Sequence, residues 1–189
     1  MRRVIVAITG ASGSIFGVRA LEVLRNVEDV ETHLVVSAGA ATTISYELDR
    51  SVADIEDLAD VVHSDRDLSA SIASGSFRVH GMIVAPCSVK TLSGVAHSYD
   101  DTLTVRAADV RLKERQPLVL VVRETPLHLG HLRNMAAAAE AGAVIFPPVP
   151  SMYIRPSTID DLVDHTIMRV FDQLDIELDL SPRWTGDAP

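Results

Sequence analysis

Aromatic side chains are scarce in this chain, with four Phe, three Tyr and one Trp in 189 residues. Its core must therefore be built from Val, Leu, Ile and Ala, a composition that suits parallel sheets covered by helices. Cysteine occurs once, as Cys87, which excludes an internal disulfide and a zinc-type cysteine cluster. Basic residues are outnumbered: 17 Lys and Arg stand against 26 Asp and Glu, for a net charge of −9. That balance disfavours a nucleic-acid partner, because phosphate backbones call for basic patches. No apolar run reaches the roughly 18–20 residues of a membrane span. Met1-Arg2-Arg3 leads directly into a strand-like run, with no cleavable signal pattern. The expected setting is a reducing cytoplasm. The length suits one domain over residues 1–175, with 176–189 as a loose polar tail.

What is present alternates. Residues 4–9 (VIVAIT), 32–37 (THLVVS), 81–85 (GMIVA), 118–122 (LVLVV) and 143–146 (AVIF) read as short buried strands, bounded by Gly or Pro. Between them, residues 15–25, 38–48, 91–96, 104–114 and 128–141 have helical spacing, with a weaker helix at 55–59. A last helix over 158–174 gathers Ile159, Leu162, Val163, Ile167, Val170, Phe171 and Leu174 on one side. Such alternation implies crossover units and a doubly wound parallel sheet, a flavodoxin-like or Rossmann-like three-layer α/β sandwich. The one long irregular stretch, the Ser-rich residues 64–76, has a length that is often functional inside a compact domain.

In open parallel sheets, ligands sit beyond the carboxyl ends of the strands. The unusual residues of this chain fall there, strand after strand: Gly10-Ala11-Ser12-Gly13, Ser37, Pro86-Cys87-Ser88, Arg123-Glu124, and Pro147-Pro148-Val149-Pro150-Ser151-Met152-Tyr153. Gly10 to Gly13 precede a helix, whose N-terminus could receive a phosphate. An ordinary glycine-rich turn is the other reading, since neither dinucleotide nor P-loop spacing is complete. Cys87 at a second helix start could be a nucleophile or a packing residue. Arg123 and Glu124 leave the most apolar strand, either for use at a site or as a closing salt bridge. Arg106, Lys113 and Arg115 share a helix on which Arg111 and Arg115 also suit a solvated face, and Arg169 is readable as a surface residue. Seven histidines show no metal-binding spacing, so no metal site is expected.

Gly10-Ala-Ser-Gly13, Ser74-Gly-Ser-Phe77, Ala85-Pro-Cys-Ser-Val-Lys-Thr-Leu92, Arg106-Ala-Ala-Asp-Val-Arg-Leu-Lys-Glu-Arg115, Arg123-Glu-Thr-Pro-Leu127 and Pro147-Pro-Val-Pro-Ser-Met-Tyr153 together resemble the UbiX-type flavin prenyltransferases. The likeness runs over nearly the whole chain. It implies an FMN-binding enzyme, assembled as homotrimers that build a homododecamer, with sites at subunit boundaries. It implies that Gly10, Ala11, Ser12, Ser37, Ser88, Val89, Lys90, Thr91, Arg106 and Arg123 contact FMN. Lys113, Tyr153 and Arg169, with Arg106 and Arg123 nearby, would hold dimethylallyl monophosphate, and Ser74 and Ser76 would lie near the flavin and this substrate. Glu124 and Glu47 look like the family's acid/base carboxylates, and Ser12 is expected to be catalytic with them. The implied reaction is metal-independent. It joins the dimethylallyl group to N5 and C6 of reduced FMN and makes a cofactor for a UbiD-type decarboxylase. Ala38, Gly39, Met152 and Phe16 depart from the family's usual residues without removing a chemical role. Two other readings share the fold: a flavoprotein decarboxylase, and a non-catalytic FMN-binding accessory subunit.

Overall fold

The computed structural model describes residues 1–186. Among them six strands, β1 (Arg2–Ile8), β2 (Val30–Val36), β3 (Val61–Ser64), β4 (Gly81–Cys87), β5 (Leu118–Val122) and β6 (Val144–Ile145), pair in parallel in the order β3-β2-β1-β4-β5-β6. The connecting helices are α1 (Ser14–Leu24), α2 (Ala38–Glu47), α3 (Val52–Glu56), α4 (Val89–Ala96), α5 (Leu103–Lys113), α6 (Leu129–Glu140) and α7 (Ile159–Asp172). Strand residues alternate between two cores, as the period of two requires. Val4, Val6, Ile8, Leu34, Ile83, Val119 and Val121 pack under α1, α2, α3 and α7. Ile5, Ala7, Val35, Met82, Val84, Leu118, Leu120 and Val122 pack under α4, α5 and α6. Each of these side chains larger than Ala7 contributes about 1.5–3 kcal/mol on full burial. Aliphatic burial on both faces thus replaces the missing aromatics.

Five expectations change. Strand β3 was not legible: it is a four-residue edge strand whose residues alternate between half-buried and exposed, too short to carry a periodic signal. Strand β6 is two residues rather than four. Of the segment expected as a loose tail, 176–189, the described part packs instead, burying Ile176 and Leu178 in the α7-side core and tying Arg183 to Asp172 through two 2.8 Å bonds, while 187–189 lie outside the described residues. Arg111 does not lie on a solvated face. It is fully buried on α5, and burial pushes its pKa down. Ile159, expected on the apolar side of α7, is exposed in its first turn.

The strand order creates a switch point. The chain leaves β1 for α1 on one face and leaves neighbouring β4 for α4 on the other, so a crevice opens between their carboxyl ends. Buried Thr9 pins its two walls. Its hydroxyl donates to the Pro86 carbonyl at 2.7 Å and accepts from the Ser88 N–H at 2.8 Å.

Candidate active site

Beyond this crevice lies a cavity of about 670 Å³, lined by Gly10, Ser37, Gly39, Ser88, Val89, Lys90 and Thr91, with Ser64, Asp65, Arg66, Asp101 and Thr102 on its far wall. Two helices begin on it. Ser37 caps α2, its hydroxyl accepting from the Ala40 N–H at 3.1 Å. Ser88 caps α4 by accepting from the Thr91 N–H at 3.2 Å. These caps leave the first backbone N–H groups of both helices free for an anion. Glycine is required where the walls meet, because a Cβ on Gly10 would lie 2.9 Å from the Gly39 backbone. The departure from the usual family residue at position 39 therefore sits at this close approach. Cavity size and donor set both suit a mononucleotide, within the roughly 300–1,000 Å³ of ligand pockets. Asp65 was not singled out from sequence. It accepts from the Thr104 N–H and hydroxyl at 2.9 and 2.7 Å and so fixes the start of α5 against the far wall.

The N-terminus of α1 does not wait for a phosphate. Gly13, at φ 103°, turns the chain into the helix without a side-chain cap of its own. The Glu47 carboxylate, from the last residue of α2, accepts there from the N–H groups of Gly13 and Ser14, each at 2.9 Å. Burial works against the ionised form of Glu47. The Ser12 hydroxyl and the Ser14 and Gly13 N–H groups outweigh it and hold the pKa below the usual value. An ionised Glu47 is ready to accept a proton and badly suited to supply one. The alternatives open at Cys87 and Arg123 also resolve. Cys87 is wholly buried, which pushes its pKa to about 12, so it is a packing residue. Arg123 and Glu124 form no ion pair among the described residues. Arg123 projects into solvent at the carboxyl edge, and Glu124 accepts from the Thr125 N–H at 2.9 Å.

The remaining expected residues lie elsewhere, in two groups on opposite faces of the sheet. On the α5 side, Lys113 pairs with Glu114, and both pack against Gly75. Ser74 and Ser76 flank that glycine, with hydroxyls 2.9 Å apart. Arg106 bonds the Ala73 carbonyl and pairs with Asp100 and Asp109 at 3.1 and 3.2 Å. On the α7 side, Tyr153 stands edge-on to His165 and Trp184, and Arg169 pairs with Asp172 at 3.1 Å. Within one chain, then, Lys113 and the Ser74–Ser76 loop are separated from Tyr153 and Arg169 by the sheet itself. Glu114, His165 and Trp184 were missed from sequence. The only available signal was a histidine and a tryptophan among residues otherwise polar or aliphatic. A second cavity of about 460 Å³, between α1 and α7, contains Arg19 and Arg50. Both are engaged, Arg19 with Asp164 at 2.6 Å and Arg50 with Glu22 at 2.6 Å.

Residues 1–171 match the family model described as Flavoprotein. A flavin prenyltransferase UbiX of Escherichia coli K12 is 61% identical over 188 residues, covering 98% of this chain and all of that one. The structure of AnUbiX in complex with FMN and dimethylallyl pyrophosphate superposes with a TM-score of 0.96 at 50% identity, over 98% of each chain. A dodecameric FMN-dependent Ubix-like decarboxylase of Escherichia coli O157:H7 superposes with a TM-score of 0.95 at 49% identity, over 97% of this chain and 100% of that one.

Proposed function

The chain belongs to the flavoprotein family, in its flavin prenyltransferase branch, and on that premise we propose that it joins the dimethylallyl group of dimethylallyl monophosphate to reduced FMN. The observation that carries this reading is the cavity of about 670 Å³ at the switch point, with two helix N-termini opening on it. FMN, when bound, supplies the two nucleophilic positions, N5 and C6, that take the prenyl carbons.

Gly10, Ala11, Ser12, Ser37, Ser88, Val89, Lys90, Thr91, Arg106 and Arg123 hold FMN in this reading. The free N–H groups at the starts of α2 and α4 face its phosphate. Lys113, Tyr153 and Arg169, with Arg123, hold the prenyl phosphate. As the allylic C–O bond breaks, negative charge collects on the departing phosphate, and donors already in place stabilise it without reorganising. That clamp does the work a metal does in other prenyl transfers. Ser74 and Ser76 border the same phosphate beside Lys113. Closing the ring at C6 consumes the prenyl double bond, which takes up one proton, while N5 and C6 each release one; Glu124, Glu47 or the departing phosphate can take the released protons, and the surplus one leaves with the phosphate. Glu47 is held ionised and serves only as acceptor.

Because α5 and α7 cover opposite faces, Lys113 and Arg169 meet only if neighbouring copies complete each other's clamp. We therefore propose that homotrimers building a homododecamer carry the sites at their boundaries. A single domain over residues 1–175, with the segment from 176 folded onto it, is the unit of assembly. The product serves a UbiD-type decarboxylase in a reducing cytoplasm, where FMN can stay reduced. Among the described residues no helix is long and apolar enough to cross a membrane.

Anaerobic incubation with reduced FMN and dimethylallyl monophosphate, in the presence of a chelator, tests the proposal. The flavin is expected to gain the mass of one isoprene unit while inorganic phosphate is released. An unchanged flavin mass refutes it. The diphosphate in a parallel reaction identifies the preferred donor.

A further inference from the structure

Helix α7 turns one histidine inward. His165 is 4% exposed, near Val163 and Ile167 of the core. Its ring makes two polar contacts: Nε2 lies 3.2 Å from the Tyr153 hydroxyl, and Nδ1 lies 3.1 Å from the Ser181 hydroxyl. The tyrosine ring meets the imidazole edge-on, with centroids 5.5 Å apart at 85°. Trp184 also meets the tyrosine ring edge-on, with centroids 5.8 Å apart at 78°. Ser181 and Trp184 belong to the C-terminal segment, which the Arg183–Asp172 pair clamps onto α7.

A phenol has one proton to give. If Tyr153 gives it to His165, the phenol oxygen presents only lone pairs to an arriving phosphate and repels it. The opposite direction serves the phosphate. Ser181 donates to Nδ1, Nε2–H donates to the Tyr153 oxygen, and the Tyr153 proton points outward. The charged and titratable groups around the ring are Tyr153, Arg169, Asp172 and Arg183. Burial, then the charges of Arg169 and Arg183, hold the imidazole below its ordinary pKa, against a weaker opposing pull from Asp172. The neutral ring carries one proton, so the choice of tautomer decides which way the chain of bonds runs. Asp172 does not interfere. Its carboxylate is bound by Arg183 and by Arg169 and makes no bond to the ring.

We propose that His165 is a positioning residue for the transfer reaction, which with Ser181 directs the Tyr153 hydroxyl proton toward the prenyl phosphate. This rests on the reading of Tyr153 as a phosphate ligand. Two measurements separate failure of the relay from failure of that reading. The first is solid-state ¹⁵N NMR of the assembled protein labelled at histidine, with His165→Gln assigning the resonance. It should show Nε2 protonated and Nδ1 bare, and the reverse tautomer overturns the proposal whatever the activity. The second is a double-mutant cycle. His165→Phe should raise the KM for dimethylallyl monophosphate about tenfold, the worth of one hydrogen bond that serves an anion, with FMN affinity unchanged. His165→Gln, whose amide N–H can stand where Nε2–H stands, should recover most of the loss. In a Tyr153→Phe background, His165→Phe should change KM by less than about twofold. Ser181→Ala, a gentler variant that leaves the core intact, should raise the same KM about threefold by freeing the tautomer. Equal losses with and without the Tyr153 hydroxyl overturn the proposal, as does an unchanged KM in Ser181→Ala. If the wild-type protein leaves FMN unmodified, the functional reading fails, and the NMR result still decides the relay.

Discussion

Replacing Glu47 by Gln separates two roles that the structure combines in one carboxylate. Glu47 satisfies the Gly13 and Ser14 N–H groups at the start of α1 and is also a proposed proton acceptor. Glutamine keeps one oxygen, which can take both 2.9 Å bonds, but it loses the negative charge and turns an NH₂ toward the Gly13 N–H that the second oxygen accepts from at 3.2 Å. A carboxylate at a helix N-terminus is worth about 0.3–2 kcal/mol. Bonds to charged groups reach about 1.5–3 kcal/mol each where water is excluded. Glu47 is solvent-facing, so screening brings the expected loss down to about 1 kcal/mol. In a chain of this size that lowers Tm by roughly 2–4 °C. The folded-state pKa lies below the ordinary 4.5, so this contribution is complete above pH 4.5 and fades as pH falls through the folded value. Thermal unfolding of both proteins at one protomer concentration, from pH 7 down to pH 3, provides the assay. The gap between them should be present at pH 7 and should narrow toward the acid end, as Glu47 takes up a proton and comes to resemble glutamine. A gap that does not narrow as pH falls below 4.5, or none at pH 7, refutes the capping argument. Turnover that falls far more than stability identifies the proton-accepting role as well.

Glu124→Gln should still bind FMN with an affinity within about twofold, while steady-state prenylation slows about a hundredfold, a typical general-base contribution; full turnover removes Glu124 from the reaction. Arg169→Ala should raise the KM for dimethylallyl monophosphate about tenfold or more, and the Arg183–Asp172 pair keeps α7 and the C-terminal segment together. Unchanged kinetics in that variant would leave Arg169 a surface residue. Cys87, with its pKa at about 12 and no exposure, should resist a thiol reagent for hours at pH 8 in the native protein and react within minutes after unfolding. Rapid stoichiometric labelling of the native protein would contradict its packing role.

The carboxyl-edge loops were readable because Gly, Ser and Pro interrupt β-branched runs at fixed places. Gly10, Ser37 and Ser88 accordingly stand together on one cavity. Strand β5, five buried aliphatic residues, could hardly be read otherwise. Sequence failed where neighbours in space decide the outcome. Gly10 to Gly13 promised an anion site, but which anion fills it depends on Glu47, 34 residues from Gly13. Arg111 reads as any exposed helical arginine, yet α5 rotates it fully inward. His165 is one of seven histidines, and its partners come from a turn 12 residues before it and a segment 16 residues after it. No local pattern marks which face a helix will cover. The placement of Lys113 and Arg169 on opposite sides followed only from the crossover order.

The placement of these two cations on opposite sides of the sheet has a genetic consequence. Two copies of the gene, each weakened at a different one of those positions, would not be equivalent to two uniformly weakened alleles. Co-expressed, a Lys113→Ala product and an Arg169→Ala product would associate, and some boundaries would receive both intact halves. At limiting dimethylallyl monophosphate, activity in the mixture would rise above that of either variant alone, and its amount would follow the statistics of assortment.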